Sequence, residues 1–283
     1  MTLTQTATPD PFGSNVLEAL CATLRALRLP SMAQELPALL ETAEREGWGR
    51  LELLKELFER EAVQKRTRRY ERRLKASGLS EAYAIDRFDF ELAQKHGIEP
   101  GVVRDLAQCE FVRARRNIII AGGVGTGKSH LARTLGIEAL KRGFKVLAFN
   151  TAELVDTLYA KRSSFHFGKV YGTVRDADLV ILDDLAYMPY APERVEYLFS
   201  LIVDRHELEI GSTIVTSNTD VTDWWQYFPS KAMGMAFSDR LLEGAQGLKL
   251  SGGSIRPTRP SRGAPARPPR VDSPPPASEG TTT

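Results

Sequence analysis

The stretch that decides the fold is Asn117-Ile118-Ile119-Ile120-Ala121-Gly122-Gly123-Val124-Gly125-Thr126-Gly127-Lys128-Ser129. Its apolar run, Ile118 to Ile120, reads as a buried strand, and the glycines after it open onto a helix starting near Lys128. Gly122, Gly127, Lys128 and Ser129 match G-x-x-x-x-G-K-[ST], the phosphate-binding P-loop. The chemistry explains the residue types. Glycines let backbone N–H groups turn inward and approach phosphate oxygens with no Cβ in the way, and the helix N-terminus adds partial positive charge. Lys128 would reach the β- and γ-phosphates and the Ser129 hydroxyl would ligate Mg²⁺. Gly123, Val124, Gly125, Thr126 and His130 complete the expected cradle for ATP. Leu131, Leu135, Ala139 and Leu140 share one face of the following helix, the context that separates a P-loop from a glycine-rich turn.

Outward from this stretch, the bulk properties set the frame. A chain of 283 residues holds one large domain, or one ordinary domain plus a smaller one, and 42% hydrophobic residues suffice for a core. The net charge of +2 says little about partners, so local clustering must carry that argument. Cys21 and Cys109 sit among helical apolar residues without metal-ligand spacing and read as reduced packing residues. His130, His166 and His206 show no ligand spacing either. The first residues are polar without a basic run, and no apolar stretch reaches the length of a membrane span, so a cytoplasmic protein is expected.

Upstream, residues 1–14 read as a flexible start and 15–78 as a helical N-terminal domain. Leu17, Leu20, Leu24 and Leu27 follow helical spacing up to Pro30. Ser31 can cap a second helix through about Glu46, with Pro37 as a kink or break. Leu51, Leu54, Leu57 and Phe58 define the apolar face of a third helix. That helix runs into residues 65–75, where seven basic residues stand against one acidic residue. Lys65, Arg66, Arg68, Arg69, Arg72 and Arg73 make this either a solvated face, a surface for an acidic protein, or a phosphate-backbone contact surface for double-stranded DNA. Residues 79–100 form a connector, with Phe88 and Phe90 as anchors onto the next domain, residues 101–250.

Within that domain a short helix over 101–113 leads to the P-loop strand, 117–121, and strands then alternate with helices. Helix 128–142 precedes strand 145–149 and helix 151–162; strand 178–183 precedes helix 192–207; strand 212–217 precedes helical material over 221–243; and a short strand follows at 246–250. Such alternation means an α/β fold, a five-stranded parallel sheet with helices on both faces. Beyond Ser251 half of the 16 prolines crowd into the last 33 residues with five arginines. That tail, 251–283, cannot bury enough apolar surface to offset its ordering entropy and is expected to be disordered.

Leu179-Val180-Ile181-Leu182-Asp183-Asp184 is an apolar strand ending in two carboxylates, 55 residues after Lys128, as a Walker B element does. Asp183 would hold Mg²⁺ opposite Ser129, and Asp184 stands where a carboxylate polarises the attacking water. Asn218 closes the strand Thr213-Ile214-Val215-Thr216-Ser217 and would lie between the γ-phosphate and that water. Arg240, on a following helix, could complete a neighbouring subunit's site as an arginine finger, a role for which Arg205 competes. Lys161, Arg162 and Lys169 are further candidate DNA contacts, or simply solvated surface.

Gly-Gly-Val-Gly-Thr-Gly-Lys-Ser-His-Leu-Ala (122–132), Leu-Val-Ile-Leu-Asp-Asp-Leu (179–185), Ile-Val-Thr-Ser-Asn (214–218) and Asp-Arg-Leu-Leu-Glu-Gly (239–244) resemble the IstB/DnaC branch of AAA+ ATPases. Trp224-Trp225-Gln226-Tyr227-Phe228 is similar to a stretch common in IstB-type proteins, and the Arg-rich upstream segment resembles theirs more than a helicase loader's. The resemblance implies a bacterial helper ATPase for insertion-sequence transposition. Such proteins assemble as ATP-bound homo-oligomers on duplex DNA, distort it, and recruit and stimulate an IstA-type transposase. This chain departs from the family at Asp184, where glutamate is usual, and at Ala186, where glycine is. The family's closing motif appears only as Gly253-Ser254-Ile255-Arg256. A DnaC-like helicase loader, a small-molecule P-loop kinase and a nucleotide-switched scaffold that hardly hydrolyses are the other readings. Binding preference for duplex or single strands, turnover by a DNA-free monomer, and the response to Asp184→Glu discriminate among them.

Overall fold

Pro30 sets the start of the second helix. The structure, a computed structural model, describes residues 14–186 and 189–252, so the expectations for residues 1–13 and for the tail, Arg256 included, lie outside them. Helix α1 (Ser14–Ala26) is followed by α2 (Pro30–Glu46), in which Pro30 takes the first turn, where its missing N–H costs nothing. Ser31 is therefore inside the helix, and the expected cap is replaced by the proline. Pro37 is carried within α2 without ending it. Helix α3 (Arg50–Ser77) runs unbroken for 28 residues. A small cluster of Cys21, Leu24, Met32, Leu36, Leu39 and Leu57 joins the three helices.

The apolar face expected on α3 is only partly buried. Leu57 is 4% exposed, whereas Leu51, Leu54 and Phe58 stand open to solvent. The side of α3 that meets α2 carries Glu61 instead, whose Oε2 accepts the Met32 N–H at 2.9 Å and so caps the start of α2. Further along, α3 leaves the bundle: Tyr70 and Leu74 pack against the core of the sheet domain. Arg73 donates to the Gly143 carbonyl. Gly78, at φ +76, ends the helix where a Cβ would lie 2.7 Å from the Ala148 carbonyl oxygen, so only glycine allows this approach.

Two 3₁₀ turns, Glu81–Tyr83 and Ile85–Arg87, and helix α4 (Phe90–Lys95) form the connection. The single helix expected over 101–113 is instead α5 (Pro100–Leu106) and α6 (Glu110–Arg113), broken where Cys109 adopts a left-handed conformation at φ 61. Both cysteines are buried and free, and burial pushes the Cys109 thiol up to about 11. From here the elements are β1 (Ile118–Gly122), α7 (Lys128–Lys141), β2 (Val146–Asn150), α8 (Thr151–Lys161), α9 (Phe167–Arg175), β3 (Leu179–Asp183), α10 (Pro192–Glu207), β4 (Ser212–Ser217), a 3₁₀ segment (Val221–Tyr227), α11 (Lys231–Leu242) and β5 (Gln246–Leu250). Helix α9 has no counterpart in the sequence reading, although Phe167, Val170, Tyr171 and Val174 follow helical spacing and pack against the core.

All strand pairs are parallel, in the order β2-β3-β4-β1-β5. Alternation along each strand sorts the core into two layers. Ile118, Ile120, Leu179, Ile181 and Ile214 face α7, while Ile119, Val180, Leu182 and Val215 face α8, α10 and α11. Because the strands are parallel, β1, β3 and β4 end side by side, which is where open α/β sheets build their sites. Among the described residues, no helix is long and apolar enough to cross a membrane.

Candidate functional site

The loop after β1 carries Lys128 back over itself. Its Nζ donates to the Gly123 carbonyl and to Asn218 Oδ1, each at 2.7 Å, although the side chain is 4% exposed. Gly125 and Gly127 take left-handed φ values of 80 and 92, which aim the loop's backbone inward at no steric cost. Gly122 has a second reason to be glycine: a Cβ there would sit 2.3 Å from the Leu250 carbonyl oxygen of β5. Thr126 donates its hydroxyl to Gly123 O at 2.9 Å and closes the turn. Asn218, expected opposite the loop, is thus placed against it by the β1–β4 register, which sets Ala121 beside Ser217.

The tip of β3 is wired into its neighbours. Thr216 donates its hydroxyl to Asp183 Oδ1 at 2.5 Å and accepts the Asp184 N–H at 3.0 Å. Asp183 Oδ2 meets the Arg133 guanidinium at 3.0 Å, and Thr151 donates to the Asp183 carbonyl at 2.8 Å. Asp184 adopts φ 56, a left-handed conformation that aspartate tolerates better than most residues. Asp184, Asn218, Lys128, Ser129, Arg133 and Tyr83 line one cavity of ≈ 310 Å³. The sequence reading missed Thr216 and Arg133, yet both carried signals. Thr216 is two residues before Asn218 and so shares its face of the strand; Arg133 is four after Ser129 and shares its face of α7.

A second, smaller cavity of ≈ 110 Å³ adjoins the loop at Gly127 and His130 and is lined by Phe88, Leu92, Ile98, Leu131 and Leu250. Its apolar walls suit a flat ring and the first cavity suits anionic oxygens, so together they can accept a nucleotide. The His130 ring stands edge-on to Tyr83 at 5.2 Å and to Phe88 at 5.6 Å. Burial, then the charge of Arg133, lowers its pKa, so the imidazole there is neutral at neutral pH. Phe88 and Phe90 pack edge to face as the anchors expected of the connector. For Mg²⁺, a hydroxyl at Ser129 and a carboxylate at Asp183 are hard oxygen donors of the type this cation takes alongside phosphate and water. The residues fit it.

The two candidate arginine fingers part company. Arg205, 4% exposed, donates to the carbonyls of Arg175 at 2.6 Å, Ala177 at 2.8 Å and Ser212 at 2.7 Å. Burial pulls its pKa down to about 10. It is bolted to the amino-terminal ends of β3 and β4 by the chain's own carbonyls, and it borders the same cavity that Arg240 lines. Arg240 lines, with Arg205, Asn117, His206 and Thr213, a cavity of ≈ 600 Å³ at the sheet end opposite the loop. Its Nη1 donates to Ala236 O at 3.0 Å, while Glu243 pairs with His206.

The basic residues divide as well. Lys65, Arg66, Arg68, Arg69 and Arg72 are exposed along the outer side of α3, whereas half-buried Arg73 is engaged at Gly143. Lys161, Arg162 and Lys169 are exposed at the turn between α8 and α9, with Arg162 lying 3.9 Å over the Tyr159 ring. Trp224, from the aromatic stretch after β4, is fully buried and donates to Ser217 Oγ at 3.0 Å, which fixes the strand end that carries Asn218.

The chain resembles an IS21-like insertion-sequence protein of Bacteroides fragilis named as ATP-binding, with 32% identity over 232 residues, 82% of this chain and 87% of that one. An insertion-sequence protein of Pseudomonas aeruginosa, likewise named as ATP-binding, shares 31% over 233 residues, 82% and 86% of the two chains. In fold it is similar to AMPPCP-bound DnaA from Aquifex aeolicus, with a TM-score of 0.50 and 20% identity over 62% of this chain and 51% of that one. With its parallel five-stranded sheet and leading helices, this is the AAA+ architecture. The sequence pattern of the IstB-like ATP-binding proteins matches residues 22–263, most of the chain, and to that family the protein belongs.

Proposed function

We propose that this protein is a Mg²⁺-dependent ATPase that assembles as a homo-oligomer on double-stranded DNA, remodels it, and recruits and stimulates an IstA-type transposase. One observation carries the reading: Lys128 reaches from the P-loop to Asn218 at 2.7 Å, beside a strand tip where Thr216 holds Asp183. Anchoring and sensing groups that come from separate strands therefore converge on one cavity. The family membership and the insertion-sequence relatives support the transposition context.

The chain's own groups would act as follows. Loop N–H groups and Lys128 bind the β- and γ-phosphates. Ser129 and Asp183 hold the cation, which when bound neutralises charge developing on the transferred phosphoryl. Asp184 accepts the proton of the attacking water and Asn218 orients it. The cavity walls at Phe88, Ile98 and Leu250 hold the adenine. Arg240 lines a cavity at the sheet end away from its own loop, which supports a role at a neighbour's site, and turnover would then depend on assembly. The exposed arginines of α3, with Lys161, Arg162 and Lys169, would contact phosphates and make DNA binding salt-sensitive.

The test is electron microscopy of the full chain with an ATP analogue, with and without duplex DNA. Nucleotide-dependent oligomers that lengthen or order on the duplex are expected. Monomers under every condition would overturn the proposal, and preference for single strands would move it to a helicase loader.

A further inference from the structure

Arg133 has no part in the roles just assigned, yet it occupies their centre. It lies on α7 four residues after Ser129, and long helical side chains lean toward the helix N-terminus. The guanidinium is therefore carried back toward the loop, where Nη2 meets Asp183 Oδ2 at 3.0 Å. Its other arm, Nη1, donates to the Tyr83 hydroxyl at 2.8 Å, and the group lies 5.2 Å from the centre of the Tyr83 ring. Asp183 is deeply enclosed, with its side chain 8% exposed against 38% for Arg133. Its remaining oxygen, Oδ1, is taken by Thr216. In this state both carboxylate oxygens are satisfied by protein.

We infer that Arg133 is a built-in counter-cation for Asp183, whose charge opposes a second cation at that carboxylate, so that Mg²⁺ binds there more tightly once the guanidinium moves away. The inference rests on the reading of Asp183 as the cation ligand. A buried carboxylate is stable only when its charge is balanced, and a guanidinium supplies that balance without a bound ion. Two positive charges beside Oδ2 repel each other, so the guanidinium lowers the carboxylate's affinity for a metal as long as it stays there. Because Tyr83 belongs to the 3₁₀ turn that follows α3, a guanidinium that swung away would also loosen a contact holding the connector to α7. Nucleotide loading would thus be felt at the base of the basic helix.

The experiment follows thermal unfolding of the nucleotide-free full chain as Mg²⁺ alone is added, for wild type, Arg133→Ala, Tyr83→Phe and the double variant Arg133→Ala/Asp183→Asn. Wild type should be indifferent to Mg²⁺ in the millimolar range. Arg133→Ala should unfold at lower temperature in EDTA and recover as Mg²⁺ is added, with half-maximal recovery at a concentration about tenfold below any wild-type response. Tyr83→Phe, which keeps the fold and removes one tether, should shift in the same direction by less. The double variant should lose the response. Arg133→Ala and Tyr83→Phe that are both as indifferent as wild type would overturn the inference, as would a response that survives in the double variant. Binding of a fluorescent ATP analogue to wild type, with Mg²⁺ present, is measured alongside. Its failure would sink the nucleotide reading itself and is separate from the variants' response to metal.

Discussion

Each end of the sheet holds an arginine, buried at one end and part-exposed at the other, and the contrast between them separates scaffold from site. At the amino-terminal end, Arg205 spends its donors on backbone carbonyls of Arg175, Ala177 and Ser212. Asn117 bridges the Leu241 carbonyl and the Thr213 N–H, at 3.1 and 2.8 Å. Backbone partners cannot leave without unfolding, so this network is rigid. At the carboxyl-terminal end the bonds run between side chains: Arg133 to Asp183, Thr216 to Asp183, Lys128 to Asn218. Side-chain partners can be exchanged for a ligand's oxygens while the strands stay where they are. A parallel sheet can thus be fixed at one end and reactive at the other.

The largest effect that would break this contrast is at the fixed end. Arg205→Met removes the guanidinium that serves the carbonyls of Arg175, Ala177 and Ser212, and weakening such buried acceptors should cost about 3–5 kcal/mol of stability. Urea unfolding would report it, and ATP affinity of the folded fraction should be unchanged. A loss under 1 kcal/mol would mean that the carbonyls find other partners and the end is not rigid. Lys128→Ala is the mirror image. It removes a charge-assisted contact to phosphate, about 3 kcal/mol or a hundredfold in ATP affinity, while the melting temperature without nucleotide should fall by less than in Arg205→Met. Intact affinity and intact assembly in that variant would end the nucleotide reading.

How much of this contrast was legible in the chain follows from the range of the forces involved. The P-loop and the β3 tip are local: a strand, a glycine turn and a helix start, each recorded in adjacent residues. The sheet follows from alternation, because apolar runs such as Ile118–Ile120 leave a parallel, doubly covered strand as the consistent reading. Arg205 was not legible as scaffold, since an arginine in the last turn of a helix looks the same whether it faces solvent or the Ser212 carbonyl. The Tyr83–Arg133 contact was hidden for a similar reason. Fifty residues separate the pair, and nothing local to either predicts it. The exposed Leu51, Leu54 and Phe58 show the opposite failure, in which helical spacing promises a buried face that the other described residues do not cover.

A smaller effect sharpens the reactive end. Asp184 reaches one methylene less far than the glutamate usual at that position in the family it resembles. Asp184→Glu should bring the carboxylate closer to a water beside the γ-phosphate and raise turnover on the order of tenfold. The measurement is steady-state ATP hydrolysis on DNA, with oligomer size checked in parallel. Unchanged turnover would show that hydrolysis is limited elsewhere, and a gain without change in assembly would mark the native residue as a brake.

The smallest effect concerns His130, between the two cavities. Its pKa is lowered in the folded protein by burial and then by Arg133. On acidification the unfolded chain therefore takes up a proton near the ordinary histidine value of about 6.5, before the folded one does. Stability is present in full above that value and declines as pH falls through it toward the folded pKa. The melting temperature of the nucleotide-free protein should drop modestly between pH 7.5 and pH 5.5, by less in His130→Gln, which has no proton to gain. Arg133→Ala, by removing the second cause of the shift, should also shrink the drop. Equal pH dependence in all three proteins would mean that the imidazole is solvated when folded and that the junction of the cavities is wetter than its aromatic neighbours imply.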